Sequence, residues 1–228
     1  MPVVVFASSK GGSGKGTSAV LLTTELVNQG TTATLIDADP NQPVVRWSRK
    51  PGLPDGMTVL GGVTEETLLE AIEDARHKTA FVVVDLEGSA NLMAAQAMSR
   101  ADLVVIPLQG SELDAVEALK VIRFIRRQEL GYGRKIAFSL LFTRTNPAVR
   151  PRTLKAIEKE FLDQGIPVCG TALHERDAYR AIFSFGGTLY TLDERSVGGL
   201  PAAIKNVREY AAEIISLLKR AEPTTVAA

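Results

Sequence analysis

The chain has a single cysteine, Cys169, and two histidines among its 228 residues. One thiol excludes intramolecular disulfides and cysteine-rich metal or iron–sulfur sites within one chain, and Cys169 reads as a small buried hydrophobe. Net charge is also missing: 26 basic side chains balance 26 acidic ones, so any attraction to a polyanion has to come from local patches. No apolar run approaches the roughly 20 residues of a membrane span. Met1-Pro2-Val3 lacks the basic segment and apolar stretch of a secretion signal, so the expected location is the cytoplasm. Neither an internal repeat nor a low-complexity segment occurs. A hydrophobic content of 45% suits one sizeable core. A single domain over residues 1–221 is expected, followed by a disordered tail, 222–228.

What is present is a strand, a glycine-rich turn and a helix in immediate succession. Val3 to Ala7 is an apolar run of strand length, and Ala19 to Val27 has apolar residues at helical spacing. Between them lies Ser8-Ser9-Lys10-Gly11-Gly12-Ser13-Gly14-Lys15-Gly16-Thr17-Ser18. That order gathers backbone N–H groups and a helix N-terminus around one point, which favours a bound phosphate. Gly11, Gly12 and Gly14 let the chain wrap closely, and Lys15 supplies the point charge of a P-loop lysine. Two positions depart from the general motif: Ser9 replaces the first glycine, and Gly16 replaces the Ser or Thr whose hydroxyl binds Mg²⁺. Thr17 and Ser18 follow, but the next helical residue is turned about 100° away and cannot simply inherit the role.

Thr32 to Ile36 reads as a second strand that delivers Asp37-Ala38-Asp39-Pro40-Asn41-Gln42 at its carboxyl end, where open parallel sheets place ligands. Asp37 and Asp39 suit a cation and a positioned water. The other reading of Asp39 is a helix cap entered through Pro40. Pro43 to Lys50 is expected as a short amphipathic helix with Trp47 as a packing anchor. Met57 to Leu60 is a short strand. Thr64 caps a helix running to about Ala75, and His77 lies in the polar turn beyond it. Phe81 to Asp85 is a continuous apolar run ending in a carboxylate, as in a central strand buried on both faces, and Asp85 matches a Mg²⁺-holding Walker B aspartate. Leu86 to Ser89 would form a switch, to which Glu87 either adds a carboxylate or contributes only a solvated charge.

Leu103 to Pro107 is the next strand, and Ser111 with Asp114 starts a long helix whose Ala118, Val121, Ile122 and Ile125 form a core face. Lys120, Arg123 and Arg127 lie opposite. Ile136 to Phe142 is a strand leading into Thr143-Arg144-Thr145-Asn146-Pro147. In the following helix, Leu154, Ile157 and Phe161 face inward, while Arg152, Lys155 and Lys159 line the outer side. These two basic faces are either merely solvated or bind nucleic-acid phosphates without sequence preference and with strong salt dependence. Ile166 to Cys169 reads as a short edge strand, and His174 begins a helix ending at Phe185. With no third ligand or nucleophile nearby, His174 and Glu175 read as structural or interfacial. Pro201 opens a last amphipathic helix whose apolar stripe docks on the core. Strands alternating with helices imply an α/β fold, a mainly parallel twisted sheet with helices on both faces.

The run from Lys10 to Lys15, with its second lysine, resembles the deviant Walker A loop of the ParA/MinD family of P-loop ATPases. Asp37 to Gln42 resembles the first switch of ParA proteins, and Val82 to Asp85 follows in the family's order. The similarity extends over essentially the whole chain, to the small ParA subgroup. The segments Asp39 to Pro43 and His174 to Asp177 also resemble ParA-like ATPases of T-DNA and conjugal transfer. The resemblance implies that ATP or ADP with Mg²⁺ binds along residues 10–18, with Arg144 and Thr145 beside the adenine. It implies catalytic roles for Lys10, Lys15 and Asp39, with Lys10 reaching a partner's phosphates across a nucleotide-sandwich dimer. Asp37, Asp39 and Asp85 would serve the metal, partly through water. It further implies an ATP-dependent homodimer that binds DNA non-specifically on the nucleoid, and a small ParB-like or transfer-system partner that stimulates hydrolysis. Gly16 implies slowed hydrolysis. A nucleotide-dependent DNA-binding scaffold with little hydrolysis, a MinD-like membrane-cycling ATPase, and a synthetase or kinase sharing the loop are the other readings.

Overall fold

The computed structural model describes residues 1–88 and 91–221. Seven parallel strands form one sheet in the order β3-β2-β4-β1-β5-β6-β7. They are β1 (Val3–Phe6), β2 (Ala33–Ala38), β3 (Met57–Leu60), β4 (Phe81–Leu86), β5 (Leu103–Leu108), β6 (Phe138–Thr145) and β7 (Leu173–His174). The helices are α1 (Lys15–Asn28), α2 (Pro43–Ser48), α3 (Leu68–Lys78), α4 (Leu92–Arg100), α5 (Glu112–Tyr132), α6 (Arg152–Asp163), α7 (Asp177–Phe185) and α8 (Leu200–Ala221). Every residue of β1 is fully buried, as expected of a strand covered on both faces.

The strands' alternating side chains divide the core in two. Val4 and Phe6 pack with residues of α1, α2, α7 and α8, whereas Val3 and Val5 pack with α3, α4, α5 and α6. Both basic helices, α5 and α6, therefore lie on one face. On the other, α8 buries its apolar stripe through Ala203, Val207, Tyr210, Ala211, Ile214 and Leu218. Trp47 anchors α2 as expected: it is 2% exposed, and its ring nitrogen donates to the Gly187 carbonyl at 3.2 Å. At the N-terminal ends of the strands, Met1, Pro2, Leu218, Lys219 and Ala221 line one cavity, so the first residues and the end of α8 meet.

Several elements differ from the sequence reading. The helix expected from Thr64 begins at Leu68 and continues to Lys78, which puts His77 inside its last turn. Thr64 instead starts a turn, its N–H donating to Thr67 Oγ1 at 2.9 Å. Ile166 to Cys169 is not a strand; only a bridge from Val168 to Leu140 forms there. The sheet edge is Leu173–His174, so His174 ends a strand, and the helix begins three residues later, at Asp177. Pro167 explains part of this, since it cannot donate to a ladder. Ser89, at the end of the expected switch, and the tail 222–228 lie outside the described residues.

Candidate nucleotide site

Parallel strands bring the ends of β1, β2, β4, β5 and β6 to one edge, and the site is built there. The β1–α1 turn enters α1 through Gly14, whose φ of 95° is a conformation that glycine accepts at no steric cost. A side chain there would also crowd Thr143, because an added Cβ would lie 3.3 Å from its Oγ1. Thr143 secures the turn, donating to the Ser13 carbonyl at 2.7 Å, and Gln109 donates to the Gly12 carbonyl at 3.1 Å. Ser9 is fastened by Glu117, with its hydroxyl 2.6 Å from Oε2. The loop's N–H groups and the start of α1 thus surround a cleft lined by Lys10, Gly11, Gly12, Gly14, Lys15, Gly16, Thr17, Asp39, Asp85, Glu87 and Gly88.

Lys15 folds back on this loop, its ammonium 3.3 Å from the Lys10 carbonyl. Burial lowers its pKa, opposed by the charges of Asp85, Asp39 and Glu87. Lys10 is paired with Asp114 at the start of α5, where the Ser111 hydroxyl also meets the carboxylate. Burial pushes the Asp114 pKa up, but the bonds from Lys10 and Ser111 prevail and leave it lowered. Gly88 lies directly against the loop: a Cβ there would sit 2.8 Å from the Lys10 carbonyl carbon.

The three aspartates read as metal residues separate into different roles. Asp37 and Asp85 are neighbours in register on β2 and β4. Asp37, however, is turned toward α2 and not into the cleft: Oδ2 accepts from Val44 N at 2.8 Å and Val45 N at 2.9 Å, and Oδ1 from Asp39 N at 3.2 Å. It completes the N-terminus of α2 with both oxygens engaged by backbone N–H groups, so any part in the metal shell expected of it would be played through water. Burial raises its pKa against those three bonds. Asp39 lines the cleft but has one oxygen turned to Asn41, accepting from its backbone N at 2.8 Å. Asp85 is 2% exposed and its Oδ1 has no hydrogen-bond partner among the described residues. Burial first, then the charge of Asp37, pushes its pKa up to about 8, with Lys15 opposing. Among the described residues no group of three or more His, Cys, Asp or Glu side chains is placed to hold a metal. Mg²⁺ is commonly bound by one or two carboxylates together with substrate phosphates, and Asp39 and Asp85 both line the cleft.

A second cavity, of 450 Å³, continues from the cleft and shares Gly14, Thr17, Arg144 and Phe183 with it. Ser18, Thr143, Leu173, His174, Glu175, Arg176, Tyr179 and Arg180 complete its lining. Arg144 reaches both cavities from a bulged β6, at a φ of 52° that is rare for a residue with a side chain. Thr145 does not line either one; its hydroxyl is 2.8 Å from His174 Nδ1. Ser13 is buried and turned inward, presenting its carbonyl to Thr143. The sequence reading missed the α7 wall, Tyr179, Arg180 and Phe183, and set His174 and Glu175 aside. Their nearness to the loop depends on the strand order, which no local pattern reports.

Comparison with known proteins agrees with this geometry. Residues 1–219 match the VirC1 protein family. Protein ParA of Rhizobium radiobacter is 39% identical over 221 residues, covering 97% of this chain and 99% of that one. This chain belongs to the VirC1/ParA family. Protein virC1 of Rhizobium rhizogenes is 28% identical over 225 residues, covering 96% of each chain. Among solved structures, the McdA(D38A)–ATP complex of Cyanothece superposes with a TM-score of 0.76 at 14% identity, covering 94% of this chain and 96% of that one. The expected P-loop fold is thereby shown, and a VirC1/ParA member carries its glycine loop, two lysines and Asp85 at one sheet edge. It departs from the general P-loop pattern at Gly16.

The six basic residues read as DNA contacts are all exposed, three on α5 and three on α6. Lys120 pairs with Glu117 at 2.6 Å and Lys159 with Asp163 at 2.5 Å. Arg123, Arg127, Arg152 and Lys155 form no ion pair among the described residues. Leu113 and Val116, flanking Asp114 in the first turns of α5, are exposed apolar side chains.

Proposed function

We propose that this protein is an ATP-binding, DNA-associated switch of the partition or DNA-transfer type, in a single domain over residues 1–221. The observation that carries the reading is the continuity of the two cavities. The glycine cradle with Lys15 suits the phosphates, and the adjoining cavity, walled by Arg144, Tyr179 and Phe183, suits the ribose and base. Mg²⁺ would be held by Asp85, with Asp39 orienting the attacking water. When bound, the cation supplies charge neutralisation at the terminal phosphates.

ATP favours a homodimer that meets at the cleft edge, with Lys10 crossing to the partner's phosphates and Leu113 and Val116 in the contact. Arg123, Arg127, Arg152 and Lys155, with Lys120 and Lys159, give the dimer non-specific affinity for DNA phosphates. This would place it on the nucleoid in the cytoplasm. A small ParB-like or transfer-system protein is the partner that stimulates hydrolysis. Turnover is slow because Gly16 contributes no hydroxyl. That observation also favours a second reading, in which the protein is a nucleotide-dependent DNA scaffold that scarcely hydrolyses ATP. A membrane-cycling role has less support: among the described residues no helix is long and apolar enough to cross a membrane, and the stripe of α8 is already buried.

The deciding experiment is titration calorimetry with ATP and Mg²⁺, followed by phosphate release with and without DNA. Binding with DNA-stimulated release is the expected result. Binding without release selects the scaffold, and absence of binding removes both.

A further inference from the structure

The space that a hydroxyl-bearing side chain would occupy at position 16 is taken by a carboxylate. A Cβ built on Gly16 would lie 2.9 Å from Asp85 Oδ2 and 3.6 Å from Val44 Cγ2. The first distance is shorter than real Cβ contacts allow, so Asp85 in its present position and any side chain at 16 exclude each other. The approach comes from the sheet: Asp85 is next to last in β4, between Phe6 of β1 and Asp37 of β2, and both strands hold it at the foot of α1.

The other Asp85 oxygen remains unpartnered among the described residues although the residue is 2% exposed. A buried polar atom in that condition calls for a missing partner. The neighbouring groups do not supply one. The Lys15 ammonium is engaged with the Lys10 carbonyl, and Asp37 is saturated by three backbone N–H groups. Asp85 also lines the phosphate cleft, and its Oδ2, the oxygen beside Gly16, is the one set where a P-loop hydroxyl would meet the nucleotide's cation.

We infer that Asp85 is a direct ligand of that cation, in the coordination position a P-loop hydroxyl fills elsewhere, and that Gly16 is the residue that admits it. Gly16 is then not simply a lost ligand. A neutral oxygen has been exchanged for an anionic one, which leaves less of the cation's charge available to the phosphates and accords with slow turnover. The inference rests on the nucleotide reading of the cleft.

The test uses the full chain with ADP and Mn²⁺. Mn²⁺ affinity of the ADP-saturated protein is read from the paramagnetic resonance of free Mn²⁺, for the parent, Gly16→Ala and Gly16→Ser. ADP affinity in EDTA is measured beside it. Gly16→Ala brings a Cβ and no ligand, so it should displace Asp85 and weaken Mn²⁺ binding at least tenfold, while Gly16→Ser recovers most of the loss through its hydroxyl. Equal Mn²⁺ affinity in parent and Gly16→Ala would overturn the inference. Loss of ADP binding by the parent in EDTA and with metal would overturn the nucleotide reading instead. Should Gly16→Ala not fold, the unmodified sequence decides: protein labelled with ¹³C-aspartate should show a Mn²⁺–carboxylate carbon coupling that Asp85→Asn abolishes. A parent spectrum without such a coupling, or one that Asp85→Asn leaves unchanged, overturns the assignment.

Discussion

The Lys10 ammonium is paired with the Asp114 carboxylate of its own chain, a group buried at the first turn of α5 and also bonded to Ser111. In the proposed dimer, where Lys10 crosses to a second molecule's phosphates, this pair would hold the lysine on its own chain until those phosphates compete for it. Asp114→Asn keeps the shape and removes the charge. It should let ATP drive dimerisation at a protein concentration several-fold lower in light scattering. A higher concentration requirement would show that Asp114 presents Lys10 and does not restrain it.

Gly16→Thr restores the hydroxyl and, by its Cβ, pushes Asp85 back from 2.9 Å. Phosphate release should rise about tenfold, equivalent to about 1.4 kcal/mol of barrier. An unchanged rate in a steady-state phosphate assay would mean that position 16 does not limit turnover.

Asp85 also predicts a pH dependence for the magnesium- and nucleotide-free protein. Its folded pKa, raised to about 8 from 3.8 chiefly by burial, means that the native state binds a proton which the unfolded chain releases. Stability should therefore be fully present below about pH 4 as far as this group is concerned, and decline as pH rises toward 8. The slope is at most about 1.4 kcal/mol per pH unit. Urea midpoints at pH 6 and pH 8 check this, and Asp85→Asn should flatten the difference. A midpoint that climbs between those values would contradict the assignment.

Gly88→Ala tests the contact between the β4 turn and the phosphate loop, because its methyl would meet the Lys10 carbonyl carbon at 2.8 Å. Backbone cannot rotate out of the way as a side chain end can, so a cost of about 1–3 kcal/mol is expected. It should appear mainly as weaker ATP affinity in calorimetry, with a smaller shift in melting temperature. Undiminished affinity would show that the turn moves independently of the loop.

Replacing Arg123, Arg127, Arg152 and Lys155 together by alanine should weaken DNA binding uniformly across sequences. The slope of log affinity against log salt should fall by about one for each phosphate contact removed. A slope unaltered in fluorescence anisotropy would exclude this face of the sheet as the DNA surface.

Much of the sheet is legible in the sequence because strands buried on both faces leave continuous apolar runs, such as Val3 to Phe6 and Leu103 to Ile106. The two-residue β7 leaves no period to read, and the apolar Ile166 to Cys169, interrupted by Pro167, imitates a strand while making one bridge. The glycine loop is equally legible, since its spacing is its chemistry. Asp37 is not: spacing places it at a strand end but says nothing of which way its carboxylate turns, and the backbone of α2 claims it. The α7 wall escapes for a different reason. Tyr179 and Phe183 come to line one cavity with Thr17 and Ser18 only through the order of strands between them.

Met1 and Pro2 share a cavity with the last turn of α8, at the edge of the sheet opposite the cleft. A fluorophore at the amino end would consequently report on the molecule without intruding on the surface where two copies are proposed to meet. A short peptide joining Met1 to Ala221, with new ends opened in an exposed turn such as the one around Asp55, would give a circularly permuted domain whose sheet edge at Lys10 and Asp85 is left as it was.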